Sequence, residues 1–453
     1  MRNTQWFKGK KILVIGLAKS GIAAARLLND MGAVVTVNEA KDMTGTKEKS
    51  ELEDMGIRVI SGSHPLHIVD EGIEYVVKNP GIRYDTPIIR RAVDKGLPVV
   101  TEIELAGMVC GGSIAAVTGS NGKTTTTTLI HEMLLESSVP SYAAGNIGRV
   151  ACETAPAVQP GEVMVTEVSS FQLKGTEEFH PRTAVLLNIV DAHLDYHGTR
   201  DDYQQSKAKI FVNLTSSDAA VYNAEDPVVA AIAEQSDADK VPFSVNAWST
   251  EGAFIQHGWY WFRDTPILSA DEAALPGRHN QENMLAAIAC AMLNGAEPDA
   301  VRTILRHFQG VEHRLQFVGR VHNRDIYNDS KSTNILSAQK AVAAFEAPIV
   351  LLAGGLDRGN SFDELIPSLQ KTKAAVFYGE SREKLAEAAR KAGLISWQFA
   401  DTLEEAVEKG FQLTDEKDVF LLSPACASWD QFQTFEERGD TFIKAIKSVK
   451  VPR

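Results

Sequence analysis

The stretch between residues 114 and 134 constrains the fold of this chain more than any other. An apolar run at 114–117 leads into a glycine-containing turn, and Lys123 is then followed by five consecutive threonines. Apolar residues recur at helical spacing at 129, 130, 133 and 134, which predicts a helix. A strand, a glycine loop and a helix in this order suit a phosphate anion, because loop N–H groups and the helix N-terminus attract negative charge. We therefore predict a nucleotide phosphate site.

The match to the usual phosphate-loop pattern is imperfect at one position. Val117 stands six residues before Lys123, where the pattern has glycine, and Gly119 lies inside the loop instead. Lys123 can reach the terminal phosphates, and Thr124 or Thr125 can place a hydroxyl on Mg²⁺. The alternative is a purely structural turn. The predicted phosphate contacts are Gly119, Ser120, Asn121, Gly122, Lys123, Thr124 and Thr125.

Length, charge and cysteine spacing exclude several classes of protein. The 453 residues suggest about three domains, and the formal net charge of -13 argues against a broad nucleic-acid or anionic-membrane surface. The four cysteines lie far apart without a Cys-x-x-Cys pair, so we expect a reducing compartment and no zinc pattern. The longest apolar run, 284–293, is too short to span a bilayer, and we find no signal-peptide pattern. We expect a cytoplasmic protein without nucleic-acid partners or membrane insertion.

The first segment has the pattern of a βαβ unit. A strand at 11–15 is followed by a glycine turn at 16–21, a helix, and a second strand at 34–37 that ends at Asn38 and Glu39. Ala18 stands where the dinucleotide fingerprint has its middle glycine, which weakens a dinucleotide-cofactor interpretation. A site for another nucleotide phosphate and a purely structural unit are the alternatives. The turn at 78–82 follows a further strand, at the end where such folds bind ligands.

Two apolar runs in the second segment, which begins near Thr101, end in metal-binding residue types. The run at 163–166 ends at Glu167, and the run at 184–189 is followed by Asp191, His193 and Asp195. This predicts parallel strands with a shared rim. A phosphate loop with carboxylate and imidazole groups at neighbouring strand ends suggests Mg²⁺-assisted phosphoryl transfer.

Four residues of this segment also have a plainer structural interpretation. Glu167 could form a loop ion pair, and His193 could be a buried, hydrogen-bonded side chain. Lys207, in a helix predicted at 201–212, could be a solvated lysine. Asn283, just before an apolar helix predicted at 284–293, could be a helix-start residue.

The third segment, from about Val311, alternates strands and helices again. Strands at 325–327, 348–352 and 419–422 are each followed by a polar loop, and these loops contain Lys331, Arg358 and Ser428. Such residues could clamp a carboxylate-bearing substrate against the phosphates of ATP, although surface ion pairs would also explain the two cations. Arg314 lies near the start of this segment, where we predict a hinge, and an arginine there can bridge a nucleotide and a moving domain.

With these motifs in order, the chain resembles the Mur ligase family along essentially its whole length. The phosphate loop at 118–125 is similar to that of this family and of folylpolyglutamate synthases. Motifs at 145–148, 328–334 and 422–428 resemble the members that add D-glutamate. The resemblance implies an α/β fold of three domains: a Rossmann-like domain at 1–101 that binds the UDP-precursor, a central P-loop ATPase domain with a mononucleotide-binding parallel sheet at 102–310, and a Rossmann-like domain at 311–453 that binds the incoming amino acid.

The resemblance also implies a reaction and its ligands. ATP would phosphorylate the alanyl carboxylate of UDP-N-acetylmuramoyl-L-alanine, and the amine of D-glutamate would attack the acyl phosphate through a tetrahedral intermediate. The implied cofactors are ATP, two Mg²⁺ ions with Mn²⁺ as a substitute, and a CO2-derived carbamate on Lys207, which turns a cation into a metal-binding anion. Such an enzyme would act as a monomer in cytoplasmic peptidoglycan precursor synthesis.

The resemblance assigns these roles residue by residue. The implied catalytic residues are Lys123, Asn146, His193 and Lys207, with Asn146 near the acyl phosphate and His193 also near the amine. The implied metal ligands are Thr124, Glu167, His193 and carbamylated Lys207. Beyond the phosphate loop, the implied ATP contacts are Asn283, Arg314 and Asp329. The implied D-glutamate contacts are Lys331, Thr333, Arg358, Ser428 and Phe435. The implied UDP-precursor contacts are Lys19, Ser20, Asn38, Glu39, Gly81, Asn146, Ser169 and Gln172.

Two positions depart from the family pattern, and other interpretations stay open. Arg358 stands where relatives can carry lysine, and residues 38–40 replace an Asp-Thr-Arg type of sequence. A different ligase of the same family is the nearest alternative, and the motifs at 328–334 and 422–428 count against it. From other classes we retain an NAD-dependent oxidoreductase, and a P-loop ATPase that couples hydrolysis to movement of a partner.

Overall fold

The chain folds into two compact units, residues 1–308 and 309–453. The computed structural model describes residues 4–190, 193–247, 249–359 and 361–449. Within these residues, two β-sheets belong to the first unit and one belongs to the second.

The first sheet is parallel and carries cores on both faces. Its strands are β1 (Lys11–Ile15), β2 (Val34–Glu39), β3 (Arg58–Ser61), β4 (Tyr75–Lys78) and β5 (Val99–Val100). Helices α1 (Lys19–Asp30), α2 (Lys47–Asp54), α3 (Pro87–Asp94) and α4 (Glu102–Val109) accompany them. The strand order is β3-β2-β1-β4-β5. Ile12 and Val14 enter one core while Leu13 and Ile15 enter another, which explains why β1 is an unbroken apolar run. The loops after β1, β2 and β4 therefore share one rim.

The second sheet positions the phosphate loop. Its strands are β6 (Ser113–Thr118), β7 (Ser141–Gly145), β8 (Val163–Glu167), β9 (Thr183–Leu186), β10 (Ala219–Asn223), β11 (Asp239–Ser244), β12 (Ala253–Gln256), β13 (Trp259–Phe262) and β14 (Thr265–Ser269). The order is β14-β13-β12-β11-β10-β9-β6-β8-β7, parallel except where β13 pairs with β12 and β14. Because β6 lies between β8 and β9, the strand order reverses beside it, and ligands bind at such a point.

The helices that accompany the second sheet lie between residues 123 and 307. They are α5 (Lys123–Glu136), α6 (Ala151–Thr154), α7 (Ser170–Lys174), α8 (Leu194–His197), α9 (Arg200–Val212), α10 (Pro227–Ala233), α11 (Arg278–Leu293) and α12 (Pro298–His307). One hydrophobic cluster runs from Val14 and Val37 of the first sheet to Ala116 and Leu186 of the second. The two sheets therefore share a core within one unit.

The second unit is built on a six-stranded sheet of its own. Its strands are β15 (Gln316–Val321), β16 (Arg324–Asn328), β17 (Ile349–Gly354), β18 (Thr372–Tyr378), β19 (Trp397–Phe399) and β20 (Val419–Leu422). Its helices are α13 (Ile335–Ala343), α14 (Ile366–Leu369), α15 (Arg382–Ala392), α16 (Leu403–Gln412) and α17 (Phe435–Ser448). The order is β15-β16-β20-β17-β18-β19, and β15 is antiparallel to β16. Since β20 lies between β16 and β17, the loops after these three strands are adjacent.

The predicted α/β class with three sheets is confirmed, and several element bounds differ from prediction. Helix α11 begins at Arg278, so Asn283 lies inside the helix and is not a helix-start residue. Strands β3, β7, β10 to β15, β18 and β19 were not predicted from the sequence. The predicted metal-binding type Asp191 lies outside the described residues, as does Ala192. In the described part of the chain, no helix is long and apolar enough to cross a membrane. The domain boundaries at 101/102 and 310/311 stay predictions.

Candidate active site

The phosphate loop joins β6 to α5 and contains two glycines with positive φ. The φ angle is +156° at Gly119 and +84° at Gly122, which caps α5. A side chain at Gly122 would collide with the amide of Asn283, so α11 packs directly on the loop. The Nζ of Lys123 donates to the backbone oxygens of Gly119 at 2.8 Å and Ser120 at 3.2 Å. The ammonium and the N-terminus of α5 therefore both lie at the loop, which suits a phosphate anion.

Two side chains from distant elements hold the phosphate loop in place, and neither was predicted. The backbone N–H of Asn121 donates to Asn188 Oδ1 at 2.9 Å, and the Asn188 amide donates back to the Asn121 carbonyl at 3.2 Å. The hydroxyls of Ser120 and Tyr203 lie 2.7 Å apart. Asn188 and Tyr203 belong to no recognisable motif, so the sequence carries no signal for them.

Glu167 is the last residue of β8, and only one of its two carboxylate oxygens is hydrogen-bonded within the described residues. Its side chain is buried, and Oε1 accepts a hydrogen bond from Asn146 Nδ2 at 2.8 Å. Among the described residues, Oε2 has no hydrogen-bond partner. A buried acceptor without a hydrogen bond destabilises the fold by about 1–3 kcal/mol, and by more when it is charged. Binding of a ligand to this oxygen would remove that penalty. A carboxylate oxygen beside a phosphate loop fits Mg²⁺, and the hydroxyl of Thr124, also buried at the start of α5, is of the same donor type.

Lys207 lies on α9 beside the phosphate loop and is only 1% exposed. Its Nζ donates to the Gly119 carbonyl at 2.8 Å and to Thr118 Oγ1 at 3.4 Å. Burial and the charge of Lys123 lower the pKa of Lys207 well below its ordinary value, while the charge of Glu167 acts in the opposite direction. Lys207 is therefore not a solvated helix lysine.

His193 follows β9 with a positive φ of +57° and an exposed side chain. The centroid of its ring lies 5.0 Å from that of Phe171 and 6.4 Å from that of Tyr203. Lys207 Nζ lies 4.9 Å from the centroid of the same Tyr203 ring. Tyr203 thus links His193 to Lys207, and the alternative of a buried histidine is wrong. Among the described residues, no group of three His, Cys, Asp or Glu side chains is placed to hold a metal.

The loops of the first sheet carry the side chains expected to line the UDP-precursor pocket. Glu39 accepts backbone N–H groups of Leu17 at 2.7 Å and Lys41 at 3.0 Å, which fixes the turn after β1. Asn38 is fully buried, and its amide donates to the carbonyls of Ile60 at 3.0 Å and of Ser63 at 2.8 Å. Asn38 therefore fixes the backbone of β3 and of the turn that follows this strand.

Asn79 connects two further candidate precursor contacts. Its amide donates to Ser20 Oγ at 3.0 Å, and its Oδ1 accepts the backbone N–H of Gly81 at 3.1 Å. Lys19, the first residue of α1, is exposed beside them. The loops after β1 and β4 are thus joined through one side chain, which sequence reasoning did not single out.

Ser169 and Gln172 form a capping box at the start of α7. Ser169 Oγ accepts the Gln172 N–H at 3.3 Å, and Gln172 Oε1 accepts the Ser169 N–H at 2.9 Å. The Gln172 amide also donates to Glu102 Oε1 at 2.7 Å, so this buried side chain is engaged at both ends. Ser169 follows Glu167 by two residues and Gln172 follows it by five, and the hydrogen bonds of Gln172 stabilise the local fold.

In the second unit, Asp329 joins the loops after β16 and β20. It is 3% exposed and accepts hydrogen bonds from Ser332 Oγ at 2.5 Å, Ser423 Oγ at 2.8 Å and the Leu315 N–H at 3.1 Å. Burial raises the pKa of Asp329 to about 6, although these hydrogen bonds and the charge of Arg314 act in the opposite direction. Arg314 itself is exposed.

The five candidate D-glutamate contacts lie on the three adjacent loops and the start of α17. Lys331 Nζ lies 5.8 Å from the ring centroid of Phe435, the first residue of α17. Arg358 is exposed, with its Cζ 5.0 Å from the ring centroid of Trp429. Ser428 is 2% exposed, immediately before that tryptophan, and Thr333 lies two residues after Lys331.

Arg438 holds these loops together and is fully buried. Its guanidinium donates to Ser330 Oγ at 3.0 Å, to the Ser330 carbonyl at 2.8 Å and to the Cys426 carbonyl at 3.1 Å. Sequence reasoning missed it, although a signal exists. Arg438 follows Phe435 by three residues and precedes Phe442 by four, which places a cation on the apolar face of an amphipathic helix.

The fold and this geometry define a class: an α/β protein with a nucleotide phosphate loop beside a buried carboxylate and a buried lysine. Family models match three successive parts of the chain. The Mur ligase MurD-like N-terminal domain matches residues 10–101, the Mur ligase middle domain 117–291, and the Mur ligase glutamate ligase domain 313–426. The chain belongs to the Mur ligase family.

Curated relatives match over nearly the full length of the chain. A UDP-N-acetylmuramoylalanine--D-glutamate ligase of Geobacillus kaustophilus is 52% identical over 451 residues, covering 99% of this chain and 100% of that protein. A protein of the same name from Halalkalibacterium halodurans is 52% identical over 450 residues, with the same two coverages.

Solved structures show the same fold at low sequence identity. UDP-N-acetylmuramate-alanine ligase MurC from Thermotoga maritima has a TM-score of 0.54 and 21% identity, covering 97% of this chain and 100% of that one. MurF from Acinetobacter baumannii has a TM-score of 0.55 and 16% identity, covering 98% of this chain and 93% of that one.

Proposed function

We propose that this protein is an ATP-dependent ligase that joins the amine of D-glutamate to the carboxylate of UDP-N-acetylmuramoyl-L-alanine, in cytoplasmic peptidoglycan precursor synthesis. The observation that carries this function is 52% identity over 99% of the chain to a relative of that name. Two buried groups, Glu167 and Lys207, beside a complete phosphate loop support the ATP-dependent part.

The reaction has two bond-forming steps. A carboxylate oxygen of the precursor takes the γ-phosphoryl group of ATP, which gives an acyl phosphate and ADP. The neutral amine of D-glutamate then attacks the acyl carbon, so that a C–N bond forms and the C–O bond breaks. Phosphate leaves with its electron pair, and the nitrogen gives up one proton. Little covalent work falls to the protein, so catalysis consists of positioning and charge stabilisation.

In the first unit, the phosphate loop binds and orients ATP. Lys123 and the loop N–H groups neutralise its phosphates. We assign Asn283, which packs on Gly122, to a contact with adenine. We assign Asn146, which donates to Glu167, to the acyl phosphate. His193, exposed on the same rim, approaches the incoming amine.

We assign Thr124, Glu167, His193 and a carbamate on Lys207 as ligands of Mg²⁺, with two ions in all and Mn²⁺ as a substitute. When bound, such ions neutralise negative charge on the phosphates. The orphaned Oε2 of Glu167 supports this assignment. Lys207 supports the carbamate by its position, since it is buried beside the phosphate loop within the electrostatic influence of Glu167. Its amine nitrogen would add to CO2 with loss of a proton, and the product is an anion.

The second unit supplies the amino acid site. We assign Lys331, Thr333, Arg358, Ser428 and Phe435 to D-glutamate, and Arg314 and Asp329 to the ribose and phosphates of ATP. Two cations on neighbouring loops suit a substrate with two carboxylates, and arginine offers a planar fork for one of them.

The precursor pocket and the domain limits complete the proposal. We assign the UDP-precursor to the rim formed by Lys19, Ser20, Asn38, Glu39 and Gly81, continued by Asn146, Ser169 and Gln172. The three functional parts are residues 1–101, 102–310 and 311–453. We further propose that the enzyme works as a monomer, without nucleic acid and without membrane insertion.

Phosphate release from ATP tests this function. We expect release only when UDP-N-acetylmuramoyl-L-alanine and D-glutamate are both present, because the acyl phosphate is consumed by the amine. L-Glutamate is the matched control, since it differs only in configuration, and L-lysine tests for a different ligase of the family. Release that persists without D-glutamate, or with L-lysine in its place, would show that the proposal is wrong.

A further inference from the structure

Lys78, the last residue of β4, is buried at the start of the loop assigned to the precursor and is 1% exposed. Its Nζ donates to the carbonyls of Pro80 at 3.2 Å and Ile82 at 2.9 Å, and to the hydroxyl of Tyr196 at 3.1 Å. Among the described residues, no carboxylate forms a salt bridge with Lys78. The ammonium is thus held by three neutral oxygen atoms, one for each of its hydrogens.

The hydroxyl of Tyr196 contacts the same two loop carbonyls as Lys78. Its hydroxyl also lies 3.0 Å from the Pro80 carbonyl and 3.1 Å from the Ile82 carbonyl. Tyr196 belongs to α8, and its backbone N–H donates to the carbonyl of His193 at 3.1 Å. Its ring lies 4.5 Å from that of Phe171, which in turn lies 5.0 Å from the ring of His193. A continuous path of contacts therefore leads from the precursor loop to His193.

We propose that Lys78 and Tyr196 form a clamp that couples the loop at 79–82 to the segment 193–197, so that docking of the UDP-precursor positions His193. Both are positioning residues, because neither touches the reacting atoms. The inference rests on the proposed function. It adds that the position of the His193 side chain depends on whether the precursor occupies the loop at 79–82.

The cost of burying Lys78 supports a functional role. Burial and the nearby charge of Lys174 lower the pKa of Lys78 from 10.5 to about 7, so the fold bears a desolvation penalty at this position. An apolar side chain would join β4 to α8 without that penalty. The buried amine donates to two carbonyls of one loop and to a hydroxyl of another element. These hydrogen bonds fix the geometry of the contact more closely than apolar packing would.

The clean perturbation is Tyr196→Phe, which removes one oxygen atom and keeps the ring on Phe171. Tyr84→Phe is the matched control, because the Tyr84 ring also lies 4.6 Å from Lys78 Nζ. Within the described part of the chain, the Tyr84 hydroxyl contacts only the Val99 carbonyl, at 3.5 Å. Each full-length enzyme is assayed with each substrate varied in turn. Amide hydrogen exchange of a peptide covering 193–197 is measured with and without UDP-N-acetylmuramoyl-L-alanine alone.

In the wild-type enzyme and Tyr84→Phe, we expect the precursor to slow exchange of the 193–197 amides. In Tyr196→Phe we expect that slowing to be lost and kcat/KM for the precursor to fall about tenfold, as for loss of a hydrogen bond to a charged donor. KM for ATP should stay within about twofold, since the phosphate loop is untouched. A melting temperature equal to that of wild type excludes a general loss of structure.

Two results would overturn the clamp. One is precursor-induced slowing that survives in Tyr196→Phe with kcat/KM unchanged, and the other is an equal loss in Tyr84→Phe. Failure of the proposed function is distinguishable, because it would appear as a wild-type enzyme that releases no phosphate with D-glutamate, whereas the exchange comparison needs only precursor binding. Lys78→Met, expected to match Tyr196→Phe in both readouts, provides a second variant.

Discussion

Replacing Arg438 by methionine is expected to destabilise the second unit and weaken D-glutamate binding together. The arginine is fully buried and donates three hydrogen bonds of 3.1 Å or less, to Ser330 Oγ, the Ser330 carbonyl and the Cys426 carbonyl. Methionine fills similar volume but donates nothing, so the Ser330 and Cys426 carbonyls lose their partner, while Ser330 Oγ still donates to the Phe435 carbonyl at 2.7 Å.

The magnitude follows from these contacts. Each orphaned buried acceptor costs about 1–3 kcal/mol, which gives roughly 2–6 kcal/mol for the two carbonyls. Removing a buried cation returns part of this as desolvation free energy, so we expect a net loss of about 2 kcal/mol. At about 2–4 °C per kcal/mol, the melting temperature of the second unit should fall by about 6 °C.

The same contacts predict which substrate is affected. Ser330 directly precedes Lys331, and Cys426 lies two residues before Ser428, so both loops of the amino acid site lose a common anchor. KM for D-glutamate should rise about tenfold or more, while KM for the UDP-precursor should change by less than about twofold, because its pocket is assigned to the first unit.

Urea unfolding and steady-state kinetics check both effects. Hydrogen exchange of peptides covering 349–354 and 419–422 reports the second unit by itself. Arg390→Met is the matched control, because Arg390 is an exposed arginine of α15 that stacks on Trp397. If Arg438→Met unfolds at the wild-type urea concentration with unchanged KM for D-glutamate, the anchoring role of Arg438 is refuted.

Two further predictions concern buried lysines. Lys207→Ala should lose activity and regain part of it with short-chain carboxylic acids, which can replace the carbamate; full activity of the variant would contradict that role. Because the pKa of Lys78 is lowered from 10.5 to about 7, the unfolded chain binds more protons between these values. The free energy of unfolding should therefore rise with pH between about 7 and 10.5, by up to about 1.4 kcal/mol per pH unit, and lose this contribution in Lys78→Met. A pH-independent difference between wild type and the variant would contradict this.

Local sequence patterns predicted the elements whose structure is decided locally. The phosphate loop was predicted because strand, glycine turn and helix are contiguous, and Gly119 and Gly122 adopt the positive φ angles that the turn needs. The adjacency of the loops carrying Lys331, Arg358 and Ser428 followed from the rule that parallel strands end at one edge. The individual roles of these residues stay predictions.

Residues that act across the fold could not be predicted. Asn188 contacts Asn121 across 67 residues, and Tyr203 contacts Ser120 across 83, so only the tertiary structure brings them together. The start of α11 was missed because its first turns are polar and give no apolar periodicity. Strands β12 to β15 form antiparallel pairings at sheet ends, where β-propensity depends on packing context.

The hydrophobic core shared by the first two sheets has a consequence for fragments of the chain. A fragment ending near residue 101 would leave side chains such as Val14 and Val37 without their partners from the second sheet, and would expose apolar surface prone to self-association. Residues 309–453 enclose separate cores on both faces of their own sheet, with Leu351 in one and Leu352 in the other. A fragment that begins at Gln309 should therefore fold and express by itself.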